Sequence, residues 1–348
     1  MTAVTPRERV YQALRFERTR PCPYYLWIDD AMVPCLAERY GAESFLGAAG
    51  TTRTFAGSCS VLTEIVAQPV EDHGIWYVDE FGATVRRGAE LHVERPALSS
   101  PSLAGYRFPD LTTDVHFAHL DAWGKKNAER FRIVQLGMMF FERSWFMRGM
   151  ESILMDFHLH ASFAHELLDA LEQVCAGVID RLLRDYGPLI DAIGLSEDYG
   201  SQKSLLIHPR HWREFIKPRL ARIVGRIRAA GKQAYLHSCG HVLPVIGDLV
   251  EIGVTMLQPL QPEAMDIFEV KRRFGRHLCL MGGISTQQTL PFGTPEDVRR
   301  EVAECLRVMG AGGGYVMAPA KPILPGVPVE NAMALIDAFV DQTTIPSQ

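Results

Sequence analysis

The run Tyr235-Leu236-His237-Ser238-Cys239-Gly240-His241 holds the residues of this chain best suited to chemistry. Gln233 to Leu236 reads as a short apolar strand entered from a helix and left through a glycine turn. Positions i and i+2 of a strand share a face, so His237 and Cys239 project together at its C-terminal end. An imidazole beside a thiol suits a soft divalent metal, zinc above all. The plainer alternative is a core histidine next to a small buried cysteine.

Two further stretches concentrate reactive groups. Ser196-Glu197-Asp198-Tyr199-Gly200-Ser201-Gln202 places adjacent carboxylates at a strand end. Alternation sends them to opposite sides, so one faces the interior while the other is free to cap the next turn. Phe140-Phe141-Glu142-Arg143-Ser144-Trp145 sets a glutamate in an aromatic surrounding just past another strand. Burial there raises a lone carboxyl's pKa, and Arg143 or a metal would offset it; a plain Glu142–Arg143 ion pair is the structural alternative.

The elements that must position these groups follow a regular rhythm. Strands are expected at Arg132–Met139, Asp191–Glu197, Gln233–Cys239, Met256–Leu260, Leu278–Gly283 and Gly314–Ala318. Helical patterns fall between them at Arg148–Tyr186, Pro209–Ala230, Val242–Ile252, Ile267–Phe274 and Pro295–Met309, with further helices from Thr5 to about Phe16, over Ala31–Tyr40, near Val115–Arg130 and at Val329–Val340. Such alternation implies parallel pairing through right-handed crossovers. With Tyr24–Ile28 there are seven strands, and an eighth is expected at Ser60–Val66 or around a hairpin centred on Glu80-Phe81-Gly82. The fold class is α/β, a (β/α)8 TIM barrel of one domain over residues 1–348, with a hairpin insertion at 51–96. Strand C-terminal ends build the active site of such a barrel. Cys22 and Cys279 begin strands and belong at the opposite face, Cys175 and Cys305 lie in helical patterns, and Cys59 has no clear place.

Composition narrows the function. Of 348 residues 47% are apolar and 22% charged, with a formal net charge of −5, so nothing suggests a nucleic-acid or membrane-surface partner. No signal peptide or membrane span is expected, and seven scattered cysteines point to reduced thiols in the cytoplasm. No Gly-x-Gly-x-x-Gly follows a strand, and Gly312-Gly313-Gly314 precedes one, so dinucleotide binding has no support.

The His-x-Cys-Gly run, Asp-Tyr-Gly-Ser-Gln at 198–202, Gly282-Gly283-Ile284 and Pro-Gly-Val-Pro-Val-Glu-Asn ending at Asn331 together resemble the uroporphyrinogen decarboxylase superfamily, from about Thr5 to the last helix. Decarboxylases of that family carry an arginine-rich N-terminal stretch that holds substrate carboxylates. Here the stretch reads Arg20-Pro21-Cys22-Pro23-Tyr24-Tyr25-Leu26-Trp27-Ile28-Asp29, with aromatics and acid instead. The sequence is more similar to the branch of zinc-dependent methyltransferases working with a corrinoid (cobalamin) on a separate protein. That resemblance implies zinc on His237 and Cys239, but Ala318 stands where a third, cysteine ligand is expected. A carboxylate would replace it: Glu142 is the first expectation, with Glu197 and Asp198 as the other strand-end choices. The resemblance further implies catalytic roles for Asp198, Glu142 and Gln202 in orienting substrate or protonating a leaving group. Tyr25, Trp27, Phe140, Phe141 and Met281 are expected to wall the substrate, a methoxy compound in preference to a polyanion. A lyase acting on a smaller acid and a non-catalytic binding barrel are the alternatives.

Overall fold

The computed structural model describes residues 4–47, 52–88 and 91–342. Seven strands form one parallel sheet in chain order: Ser60–Ile65, Phe131–Leu136, Ala192–Ser196, Gln233–His237, Met256–Leu260, Cys279–Ile284 and Tyr315–Pro319. Residues 23–26 close it. The Tyr25 N–H donates to Met317 O (2.8 Å) and the Met317 N–H to Pro23 O (2.9 Å) on one side, while the Cys59 N–H donates to Tyr24 O (2.8 Å) on the other. These bonds make the eighth stave of a closed barrel, and the strand hidden from the sequence pattern is Ser60–Ile65.

Alternation along the staves sorts two apolar layers. One cluster fills the barrel, with Phe131, Ile133, Tyr235, Met256, Met281 and Ala318 among its members. The other lies between barrel and helices and takes the intervening residues, such as Val134, Leu236, Leu257 and Leu280. The first helix, Pro6–Leu14, puts Val10 and Ala13 into the interior cluster and plugs the N-terminal end. Its cap is Thr5, whose Oγ1 accepts from the Glu8 N–H at 3.2 Å.

Three expectations change. Within 51–96, Ser60–Ile65 belongs to the barrel; the insertion proper is a four-stranded antiparallel sheet running Pro69–Asp72, Trp76–Asp79, Thr84–Arg86, His92–Arg95. The expected long helix at 148–186 is two helices, Met150–Leu159 and Ala161–Tyr186, preceded by a third, Phe141–Arg148, which Gly149 at φ +87° turns into the next. Residues 141–147, expected only to follow a strand, are therefore helical. The helix near 115–130 is likewise split, into Asp114–Phe117 and Leu120–Lys126. Among the described residues no helix is long and apolar enough to cross a membrane.

Candidate metal and substrate site

At the C-terminal mouth of the barrel, one ligand atom each of Asp198, His237 and Cys239 lies within 4.8 Å of the others. Cys239 Sγ is 3.4 Å from His237 Nε2, and Asp198 Oδ1 is 3.7 Å from the same nitrogen. His237 ends the Gln233–His237 strand facing inward, two residues beyond Tyr235 of the interior cluster. Its Nδ1 bonds to Gln258 Oε1, which also accepts the Tyr235 hydroxyl at 2.7 Å. An acceptor at Nδ1 places the proton there and leaves the Nε2 lone pair aimed at Cys239 and Asp198, the arrangement a metal-binding histidine needs.

Asp198 arrives from the neighbouring loop. Its Oδ1 accepts the Cys239 N–H at 2.7 Å, which fixes the carboxylate against the cysteine's own backbone. The loops themselves touch. A Cβ on Gly200 would stand 2.6 Å from His241 N, and one on Gly240, at φ +81°, 2.4 Å from Gly200 C. Only glycine at both places allows this approach. The donor set of one imidazole, one thiol and one carboxylate, with its outer hydrogen bond already made, fits a zinc ion with a coordination position left open.

Glu142 is not in that group, which corrects the expectation of it as third ligand. It sits buried in the first turn of Phe141–Arg148, where Ser196 Oγ donates to its Oε2 at 3.3 Å. Burial, then the charges of Asp198 and Glu197, push its carboxyl up to about 8, with His237 opposing. Glu197 is no ligand either. It points away from the mouth and accepts the N–H groups of Phe140, Phe141 (3.0 Å) and Glu142 (3.4 Å), capping the helix from a neighbouring strand. Burial raises its carboxyl to about 8 against those three donors.

The expected substrate wall divides. Tyr25 and Met281 belong to the interior cluster and Trp27 packs against it, with the Tyr25 and Trp27 rings 5.9 Å apart. Phe140 and Phe141 are a correction. They are fully buried in the layer between barrel and helices, where the Phe141 ring meets Trp145 at 5.1 Å, because the helix that starts there turns them outward from the barrel axis. Gln202, expected to be catalytic, is exposed in the loop beyond Asp198. Ala318 faces the barrel interior.

Two mouth residues escape the sequence reading. Lys321, two residues past the Tyr315–Pro319 strand, hydrogen-bonds the Cys239 thiol; burial, first, and then Asp198 push that thiol up to about 12, while Lys321 draws it down. Its signal was position, just beyond a strand's C-terminal end. Glu64 occupies the Ser60–Ile65 strand, one of the two places expected for the eighth strand, but nothing in the sequence marked it as a site residue.

A family model described as uroporphyrinogen decarboxylase (URO-D) matches residues 144–341. Methylcobamide:CoM methyltransferase MtaA of Methanosarcina barkeri is 29% identical over 148 residues, 42% of this chain and 41% of that protein. A uroporphyrinogen decarboxylase of Pseudoalteromonas translucida is 38% identical over 74 residues, 21% of this chain and 20% of that one. The chain thus matches well under half the length of either relative. A solved methyltransferase from Methanosarcina mazei superposes with a TM-score of 0.72 at 18% identity, covering 98% of this chain and 100% of that one, and has the same fold.

Proposed function

The chain belongs to the uroporphyrinogen decarboxylase family, and from that premise we propose that it is a zinc-dependent methyltransferase, moving a methyl group between a small methoxylated compound and a corrinoid on a separate protein. The observation that carries this reading is the Asp198–His237–Cys239 trio at the barrel mouth. One thiolate and one carboxylate neutralise Zn²⁺, and three protein ligands leave room for a fourth. Zinc held there supplies Lewis-acid activation of an oxygen or sulfur.

The chain's own residues do the rest. Gln258 holds the His237 ring in one tautomer and orientation. Glu142, raised by burial, stands beside Asp198 and His237, where its carboxyl can protonate a leaving oxygen. Tyr25, Trp27 and Met281 supply an apolar wall that excludes water from the reacting ether. The relatedness to a methylcobamide-using methyltransferase supports methyl transfer over other chemistry. Decarboxylation of a polycarboxylate is disfavoured by a mouth that carries the Glu64 and Asp198 carboxyls, since desolvating a polyanion beside them would go uncompensated.

The test pairs elemental analysis with an assay. Purified protein should hold about one zinc per chain and transfer methyl groups from a methoxyarene panel to a reduced corrinoid protein. His237→Ala should lose both while its circular dichroism stays unchanged. Release of coproporphyrinogen from uroporphyrinogen without corrinoid methylation would overturn the reading.

A further inference from the structure

Near His237, the barrel wall carries a second polar pair to which the methyl-transfer steps assign no role. Leu62 packs against the interior cluster, so alternation turns Glu64 inward as well, at the mouth end of Ser60–Ile65. Its register partner on the adjacent strand is Gln135, whose Nε2 donates to Glu64 Oε1 at 2.9 Å. Gln135 is 6% exposed, and its Oε1 has no hydrogen-bond partner. Glu64 forms no salt bridge among the described residues, yet it interacts electrostatically with Tyr25, Tyr235 and His237, all groups of the interior.

The pair is thus rich in acceptors and lacks a cation. A carboxylate beside an orphaned amide oxygen calls for a ligand with several N–H donors and a positive charge. Tyr25, which feels the Glu64 charge, adds a ring that suits the same ligand, because ring faces attract an ammonium group. A hydroxyl would satisfy one acceptor and leave the charge unpaired, and a carboxylate would be repelled.

We propose that Glu64 and Gln135 form a subsite for an ammonium group, so that the substrate is a small methoxylated amine bound as its cation, with its methoxy end toward His237 and Cys239. Calling the ligand a substrate rests on the methyl-transfer reading; the ammonium subsite itself does not.

Calorimetric titration of the zinc-containing protein with para-methoxyphenethylamine, para-methoxyphenethyl alcohol and para-methoxyphenylpropionate tests this. The amine should bind at least about tenfold more tightly than the alcohol, as expected when an ammonium group pairs with an accessible carboxylate held by a buried amide. Glu64→Gln should abolish that preference without weakening the alcohol, and Gln135→Leu should reduce it. Equal binding of amine and alcohol, a preference for the propionate, no binding by any of the three, or an amine preference that survives Glu64→Gln would overturn the subsite. Zinc content and corrinoid methylation of the wild-type protein separate the two readings, since both can be present while amine and alcohol bind equally.

Discussion

At the level of single residues, the proposed choice of Asp198 over Glu197 as third ligand turns on backbone N–H donors. Adjacent Glu197 and Asp198 are equivalent in the sequence, and alternation says only that they diverge. What decides between them lies elsewhere in the chain: Cys239 offers its N–H to Asp198, while residues 140–142 offer three N–H groups to Glu197. Asp198→Asn removes the anionic ligand but can keep the Cys239 contact, so the fold should survive while zinc affinity falls at least about tenfold. Gln258→Leu should weaken zinc by about 10- to 100-fold through the unsupported imidazole. Glu142→Gln should leave affinity within a few-fold of wild type. Competition titration with a zinc chelator checks all three, and Glu142→Gln losing more zinc than Asp198→Asn would reverse the assignment. His237 and Cys239 were legible because both follow from the period of one strand. Glu64 and Lys321 were not, since nothing in the sequence marked the one as a site residue and the other lies in a proline-rich loop whose path depends on distant contacts.

At the level of elements, the site is the meeting of two loops, and the glycines are what let them meet. Gly200 follows Asp198 by two residues and Gly240 follows Cys239 directly, so the motif glycines are the crossing point rather than flexible hinges. The His241 N–H donates to Ser201 O at 2.7 Å and locks the crossing. Gly240→Ala introduces a Cβ at positive φ 2.4 Å from the backbone of Gly200. Backbone cannot yield as a side chain can, so the loops must part. We expect a loss of about 1–3 kcal/mol in stability together with a loss of zinc affinity comparable to that of Asp198→Asn. Chemical denaturation and the chelator titration on the same protein measure the two; a destabilised variant with wild-type zinc affinity would show that the crossing does not set the ligand geometry. The sequence displayed these glycines and their neighbours, and the barrel strands and helices largely fell where periodicity put them. The helix at Phe141–Arg148 did not, because its N-terminal donors are satisfied by Glu197, some 55 residues away in sequence, which no local pattern records.

At the level of the whole molecule, the barrel separates chemistry from stability by its two ends, as parallel barrels do. The mouth gathers groups whose burial is costly, Glu142 and Cys239, both raised and each beside Asp198. The opposite end is closed by a compensated network. Asp191, just ahead of the Ala192–Ser196 strand, accepts from Arg132 Nε (3.1 Å), the Arg132 N–H (2.9 Å), Arg7 Nε (3.0 Å) and the Tyr11 hydroxyl (3.0 Å). Asp191 and Arg132 are 1% and 4% exposed, so each charge depends on the other, whereas Arg7 is partly open to water and contributes less. The helix carrying Arg7 and Tyr11 is the one that plugs the barrel, so this carboxylate ties the plug to two staves. Burial alone would raise Asp191, but its hydrogen bonds with Arg132 and Arg7 outweigh that and hold its carboxyl below the usual value. A depressed carboxyl stabilises the fold fully above its unfolded pKa of about 3.9 and loses that contribution as pH falls through the folded value. Asp191→Asn should therefore cost about 3–5 kcal/mol at neutral pH by stranding the Arg132 charge. The gap from wild type should narrow as pH drops below about 4, because protonation then removes from the wild type the same charge the variant lacks. Urea unfolding of both proteins from neutral pH down to about pH 3 follows the gap directly, and a difference that stays constant across that range would show that the ion pair is not what holds the plug.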